Sequence, residues 1–484
     1  MAFVGDGLAH YSAETPARAA LRCGPIRFSW VELVDRIGTI EQGLLRQSKP
    51  VARIVLRLDD PAALLLCFFA CARTGRIAVV MDPGWPAAQT SAVLAEIAPD
   101  LVVDARNVAG LAANDGAPDI DDPLKAAPPG EADLFYAGFT SGSSGLPKGY
   151  VRSHGSWLES FALSERLFGI SPQSRIVLPG QLTHSLHLYG AVCGLASGQE
   201  VVLMPRFDPR TVLTALGDAP GGSVLYATPT QLHFLAEAAR RTGPVMDVKQ
   251  VLASGAKWRE ADRQALRSVF PQARLFEFYG ASETSFITVS SPEDAGPAGS
   301  VGRAPDGVEI AIGDPHAPES PGRAGPIWVR SPMLFSGYLC GAAPDTLWRD
   351  GWLTVGDHGF LNEHGFLTLT GRENRMVVTS GLNVYPEEIE AVLLDHPAVA
   401  LAVVAGLPDR IRGRRLEAVV ELAGAQSGSR DGIEDLLLRH CRERLVAGKV
   451  PKRIHIRENL PLTAGGKPDI QEISADLGKS GDRR

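Results

Sequence analysis

Eleven consecutive residues, Phe139-Thr-Ser-Gly-Ser-Ser-Gly-Leu-Pro-Lys-Gly149, carry three glycines and four hydroxyl side chains, with a lysine just before the last glycine. Glycine tolerates the turns that let successive backbone N–H groups converge on one anion, and hydroxyls add further donors. A lysine closing such a loop supplies a point charge for phosphate oxygens. A surface Ser/Gly turn has the same composition, so the loop alone leaves both readings open. Its lysine lies outside the GxxxxGK[ST] frame, which excludes a Walker A loop. No GxSxG elbow occurs, and that weighs against a serine hydrolase.

Five further segments hold residues of the same chemical kind. Tyr279-Gly-Ala-Ser-Glu283 sets an aromatic ring and a carboxylate around a glycine, and alone reads as a strand-to-turn element with a solvated glutamate. Asp350-Gly-Trp-Leu-Thr-Val-Gly-Asp357 and Thr370-Gly-Arg372 read as the turns of a β-hairpin. In Ser380-Gly-Leu-Asn-Val-Tyr-Pro-Glu-Glu-Ile-Glu390, Pro386 followed by acidic residues is a sound helix start whatever else it does. In Pro461-Leu-Thr-Ala-Gly-Gly-Lys467, an isolated lysine after two glycines is ordinarily just solvated.

The elements that must position these residues show in the hydrophobic pattern. Short β-branched runs (Val51–Leu56, Ile77–Met81, Leu101–Val103, Glu200–Met204, Ser223–Ala227) alternate with helical stretches (Pro61–Thr74, Pro86–Ile97, Arg210–Gly217, Thr230–Arg241). That alternation predicts parallel α/β layers. From about Gly302, short strands crowd with Gly and Pro (Val308–Ile312, Ile327–Arg330, Phe366–Thr370), predicting a β-rich subdomain. After Arg372 a further α/β unit begins, with helices at Pro386–Leu394 and Arg430–Leu445. Residues 375–484 carry a net charge of +1 against −8 for those before them, a step that supports a boundary near Arg375. The expected domains are 1–374 and 375–484, with a disordered tail over Gly478–Arg484.

The 484 residues, 45% hydrophobic and 21% charged, have the balance of a soluble globular protein. A net charge of −7 gives no reason to expect nucleic-acid binding. The six cysteines form no CxxC pair and no zinc spacing, and Cys67 and Cys71 read as core residues on one helix face. A reducing, cytoplasmic setting follows. The N-terminus lacks a basic region followed by an apolar run, and the longest apolar run, Ala62–Ala72, is too short to span a bilayer.

The glycine loop closely resembles the phosphate loop of the adenylate-forming superfamily, which includes acyl-CoA synthetases, adenylation domains and beetle luciferases. The other five segments fall in that family's order. Phe28-Ser-Trp-Val-Glu-Leu33 and Ile77-Ala-Val-Val-Met-Asp-Pro83 extend the likeness toward the N-terminus. The resemblance implies a large N-terminal domain of stacked α/β sheets with a β-rich subdomain, and a small mobile α+β C-terminal domain. It implies ATP and Mg²⁺ as cofactors and coenzyme A as a substrate.

Residue roles come with it. Thr140, Ser141, Gly142, Ser143, Ser144, Gly145 and Lys148 would cradle the phosphates. Gly255, Ala256, Glu277, Phe278, Tyr279, Gly280 and Ser282 would flank the adenosine, with the Tyr279 ring on the base. Glu283 would hold Mg²⁺, a hard cation that prefers oxygen. The two oxygens of Asp357 suit a ribose diol, with Arg372 beside them. Lys467 would serve the adenylation step, with Glu283, Arg372 and His184 as further catalytic groups. His184, Ser254, Gly255, Gly280 and Ala281 would line the acyl pocket. After rotation of the C-terminal domain, Ser380, Gly381, Leu382 and Asn383 would line the thiol tunnel.

Departures are as informative. Ser282 stands where the family usually has threonine, keeping the hydroxyl. The pivot position, usually Asp or Lys, is Arg375; a pivot needs tolerant backbone more than one side chain, so rotation is expected to survive. Pro468-Asp469 replaces the arginine that often follows the catalytic lysine. The stretch Leu178–Tyr189 has no Asp to meet a substrate ammonium, which disfavours an amino acid and favours another carboxylic acid. In that stretch His184 reads as pocket lining and His187 as core, although two core histidines or a metal pair fit the spacing too. Arg410, Arg412, Arg414 and Arg415 could meet CoA phosphates, an acidic acyl carrier protein, or only solvent. The expected function is acyl-CoA ligation; loading of a carrier protein and a catalytically degenerate nucleotide binder are the alternatives.

Overall fold

The computed structural model describes the chain except for residues 112–127, 141–146, 218, 256–259, 295, 342, 380–381, 410–412, 424–431, 463–467 and 482–484. The fold separates into two compact units, one of Met1–Ile310 with Val329–Leu353, the other of Ala311–Trp328 with Thr354–Arg484.

In the first unit the predicted α/β alternation is present. Six strands run parallel in the order Arg274–Tyr279, Val248–Ala253, Ser223–Ala227, Arg175–Leu178, Glu200–Leu203, Ala19–Cys23. A second sheet has the order Gly337–Cys340, Lys148–Ser153, Leu134–Thr140, Ile77–Val80, Arg53–Arg57, Leu101–Asp104, parallel except at its first two pairings. Its strands are Val/Ile-rich because crossover helices cover them, and Ile77–Val80 is buried at every position. The helix Pro61–Arg73 starts on an Asp60 cap with proline in the first turn and buries Cys67 and Cys71. The six cysteines are all buried free thiols.

The second unit is β-rich at first. Asp357–Leu361 pairs antiparallel with Phe366–Arg372. Then Val399–Asp409, Gly413–Leu422 and Ile454–Arg457 form a three-stranded sheet carrying Pro386–Leu394 and Ile433–Arg444 on a core of Val404, Leu416, Val420 and Leu437. Pro386 starts its helix with Glu387 and Glu388 in the first turn, as expected. The tail is a correction: the last helix runs Ile470–Gly481, because Ile473 and Leu477, one turn apart, are buried under Val403 and Val419.

Arg375 lies in a short 3₁₀ turn, Glu373–Arg375, with a side chain only 18% exposed. Its guanidinium donates to Glu387 Oε1 at 3.0 Å and to Glu390 Oε1 at 2.6 Å. Burial works against its charge, yet the bonds and charges of Glu390 and Glu387 outweigh that and raise its pKa above the usual arginine value. Among the described residues no helix is long and apolar enough to cross a membrane.

Two histidines of the first unit are buried in neutral form. His154 stacks on Phe135 at 4.5 Å and its Nδ1 accepts the Val4 N–H at 3.0 Å. Burial lowers its pKa to about 4, and that of His187 to about 3. The unfolded chain therefore binds more protons below the ordinary value of 6.5. The stability these histidines allow is complete above that pH and lost as pH falls toward their folded values. By pH 5 each should have cost about 2 kcal/mol. Thermal melts from pH 7 to pH 5 should fall steeply for the parent. His154→Asn, which keeps an acceptor but no charge, should start lower and fall less; parallel curves would clear His154 of the effect.

Candidate active site

Two paired strands flank the glycine-rich segment. Thr140 ends one, Lys148 opens the next, and the two are register partners. Residues 141–146, and with them Ser141–Gly145, lie outside the described residues. On these strands, the hydroxyls of Tyr136 and Tyr150 bond at 2.6 Å, filling the space that a Cβ at Gly138 would need. Gly149 is equally constrained, since a Cβ there would sit 2.7 Å from Cys340 Sγ.

Glu283 is carried on a turn of unusual tightness. Arg274–Tyr279 runs into it and Thr288–Ser290 returns antiparallel, with Tyr279 opposite Thr288. Within the turn the Ala281 N–H donates to Thr284 Oγ1 at 2.9 Å, and Ser285 takes φ +59°. Only glycine fits at 280, because a Cβ would come within 1.7 Å of the Ser285 carbonyl oxygen.

Arg152, on the lysine strand, holds this turn from below. It donates to the Ser282 carbonyl at 2.7 Å, Ser285 Oγ at 2.7 Å and the Met333 carbonyl at 2.6 Å. Burial lowers its pKa to about 10, still far above neutrality, so it remains a cation. The Glu283 carboxylate is 7% exposed and accepts from the Tyr338 hydroxyl at 2.8 Å.

Other expected site residues gather at the carboxyl ends of the parallel strands, where open α/β sheets bind ligands. Ser254 and Gly255 follow the Val248–Ala253 strand, next to Glu277–Gly280. Gly255 has φ +97°. His184 follows Arg175–Leu178 and caps the helix Ser185–Ala196 through its carbonyl, while Ser282 Oγ reaches Ser185 Oγ at 3.1 Å. Glu277 is buried in an ion pair with Arg263. His187 is buried in the core, its ring over Gly180, where a Cβ would meet it at 2.0 Å. Phe278, Tyr279 and Ala281 are part-buried around the turn. Ala256 lies outside the described residues.

In the second unit, Asp357 and Arg372 are cross-strand partners, and Arg372 Nε meets Asp357 Oδ1 at 2.7 Å. The carboxylate is buried and the guanidinium about half exposed. Leu382 is exposed on the short strand Leu382–Val384. Ser380, Gly381 and the Asn383 side chain lie outside the described residues. Lys467 does too, but a bridge between Leu462 and Pro468 and a bond from Asp469 N–H to Pro461 O at 2.8 Å close the chain on either side of it. Among the described residues no cluster of three or more His, Cys, Asp or Glu could hold a metal.

Arg152, Tyr338 and Thr346 escaped the sequence reading. No motif surrounds them; Arg152 and Tyr338 take their places through contacts far along the chain, and Thr346 through Tyr338. The rigidity of the Glu283 turn is testable: Gly280→Ala must reshape it and should weaken binding of an ATP analogue by about tenfold or more, read by calorimetry. Unchanged binding would mean that the turn does not carry the nucleotide site.

With this geometry in view, likeness to known proteins is specific. The chain is 36% identical over 472 residues to the uncharacterized acyl-CoA ligase YhfT of Bacillus subtilis, covering 94% of this chain and 95% of that protein. It is 30% identical over 480 residues to a feruloyl-CoA synthase of Amycolatopsis, covering 94% of each. Among solved structures, the o-succinylbenzoate CoA synthetase of Bacillus subtilis in complex with its acyl-adenylate superposes with a TM-score of 0.83 at 25% identity, over 96% of this chain and 97% of that one. The model of the AMP-binding enzyme matches residues 8–339 and that of its C-terminal domain residues 388–467. On this evidence the chain belongs to the AMP-binding enzyme family and so to the adenylate-forming superfamily.

Proposed function

We propose that the chain activates a carboxylic acid other than an amino acid with ATP and passes the acyl group to coenzyme A. The observation that carries this reading is the pairing, across the two sheets of the first unit, of a lysine with an oriented carboxylate: Lys148 opens a strand of the second sheet, Glu283 sits on the turn after Arg274–Tyr279 of the first, and Arg152 ties the two. The relatives named as CoA ligases support it. The absence of Asp from Leu178–Tyr189 supports the choice of acid.

In the first half-reaction a substrate carboxylate oxygen forms a bond to the α-phosphorus as the bond to the bridging oxygen breaks and pyrophosphate leaves. The protein's part is positioning and charge neutralisation. Lys148 and Thr140, with Ser141–Gly145, hold the phosphates; Asp357 and Arg372 hold the ribose side; Gly255, Phe278 and Tyr279 flank the base. Glu283 fits Mg²⁺, because its carboxylate is oxygen-only, oriented by Tyr338, and outside any ion pair among the described residues. A divalent cation held there would neutralise phosphate charge.

Lys467 faces the charge developing between carboxylate and α-phosphate. In the second half-reaction the domain of residues 375–484 turns to bring Ser380–Asn383 to the site. The thiol sulfur then bonds to the acyl carbon, AMP leaves, and the thiol proton is lost to solvent. His184, Ser254, Gly280 and Ala281 line the acyl side.

The test is pyrophosphate release over a panel of aliphatic, aromatic and dicarboxylic acids, with and without CoA. One acid class should respond, CoA should accelerate turnover, and Lys467→Ala should lose roughly a thousandfold in rate. Turnover indifferent to CoA would point to a carrier protein as acceptor. ATP binding without turnover on any acid would favour a degenerate binder.

A further inference from the structure

We propose that Tyr338 is a positioning residue of the adenylation site: its hydroxyl fixes one oxygen of Glu283 so that the other is presented to the divalent cation. The inference rests on the reading of Glu283 as the cation's ligand.

The Tyr338 hydroxyl lies 2.8 Å from Glu283 Oε1 and 3.1 Å from Thr346 Oγ1. A phenol has one proton, and an ionised carboxylate can only accept. The proton therefore points at Glu283, and Thr346 donates in turn to the phenol oxygen. Among the described residues no hydrogen bond reaches Glu283 Oε2. Arg152 hydrogen-bonds the turn's backbone and the Ser285 hydroxyl, not the carboxylate, so it acts on Glu283 through charge alone and forms no ion-pair contact with its oxygens.

The ring is itself held. Phe335 meets it edge-on at 4.9 Å and stacks on Trp348 at 5.9 Å, while the Phe335 N–H donates to the Glu283 carbonyl at 2.8 Å. Backbone and side chain of Glu283 are thus both tied to one short stretch of chain.

That stretch continues as Gly337–Cys340, which pairs with the lysine strand, Tyr338 opposite Tyr150 and Cys340 opposite Gly149. At its end, a Cβ on Gly341 would come within 2.7 Å of the Pro147 carbonyl and 2.9 Å of Lys148 Cα. One strand therefore sets the base of the phosphate lysine and the orientation of the carboxylate. Groups that orient metal ligands in this way typically alter metal affinity by about 10- to 100-fold when removed.

The test uses the full chain with a non-hydrolysable ATP analogue and Mn²⁺ as a spin probe for the cation. Tyr338→Phe should weaken Mn²⁺ binding by about 10-fold or more, with metal-free analogue binding and the melting temperature close to the parent's. Glu283→Gln should weaken it further. If Glu283→Gln weakens binding and Tyr338→Phe does not, the positioning role is wrong while the ligand reading stands. If Glu283→Gln leaves Mn²⁺ binding unchanged, the ligand reading fails and this inference with it. Should Tyr338→Phe not fold, Thr346→Val removes the donor behind the phenol and should shift Mn²⁺ affinity in the same direction by several-fold; parent-like affinity would overturn the proposal.

Discussion

A guanidinium taken fully out of water is the interaction on which the first unit's site depends. Desolvating such a charge costs several kcal/mol and is sustained only where hydrogen bonds meet it. Arg152, 1% exposed, is met by the Ser282 and Met333 carbonyls and the Ser156 and Ser285 hydroxyls. Those acceptors come from three stretches far apart in sequence: the helix after the lysine strand, the Glu283 turn, and the run into Gly337–Cys340. A single cation thereby fixes where the turn and the strand sit relative to the phosphate lysine. Its hydrogen-bond acceptors are neutral, and the charge of nearby Glu283 helps to keep the guanidinium ionised.

What was legible in the chain was what is local. Lys148, Glu283, Asp357 and Lys467 stand in short frames whose glycines and hydroxyls have a physical reason to be there, and the same frames carry the family likeness. Strand and helix periodicities located Ile77–Val80, Ser223–Ala227 and Pro386–Leu394 to within a residue or so. Arg152 was not legible, because an arginine at the end of an apolar strand reads as a solvated terminus until its acceptors, about 130 and 180 residues later, are known. Tyr338 has the same difficulty: the group it serves is 55 residues back along the chain. The expected disorder of Gly478–Arg484 overlooked the helix end Gly478–Gly481, because the buried residues that decide that helix, Ile473 and Leu477, lie upstream of it.

The histidine pair after the strand Arg175–Leu178 separates packing from chemistry. His184 and His187 lie three apart in one apolar segment, and spacing alone allows a metal pair. The helix start at Ser185 puts His184 at the rim and carries His187 inward, over Gly180, where burial keeps it neutral. Local backbone geometry, not residue type, divides them.

The ion cluster at Arg375 has a consequence for how this chain can vary. Elsewhere in the superfamily that position is commonly aspartate or lysine, and is treated as a swivel whose side chain matters little. Here an aspartate would be a third carboxylate beside Glu387 and Glu390, which lie 12 and 15 residues further on. Residue 375 is therefore inherited together with the first helix of the small domain. A chimera that takes its C-terminal half from this protein has to be spliced upstream of Glu373, or it separates a half-buried cation from the two anions that make its desolvation tolerable.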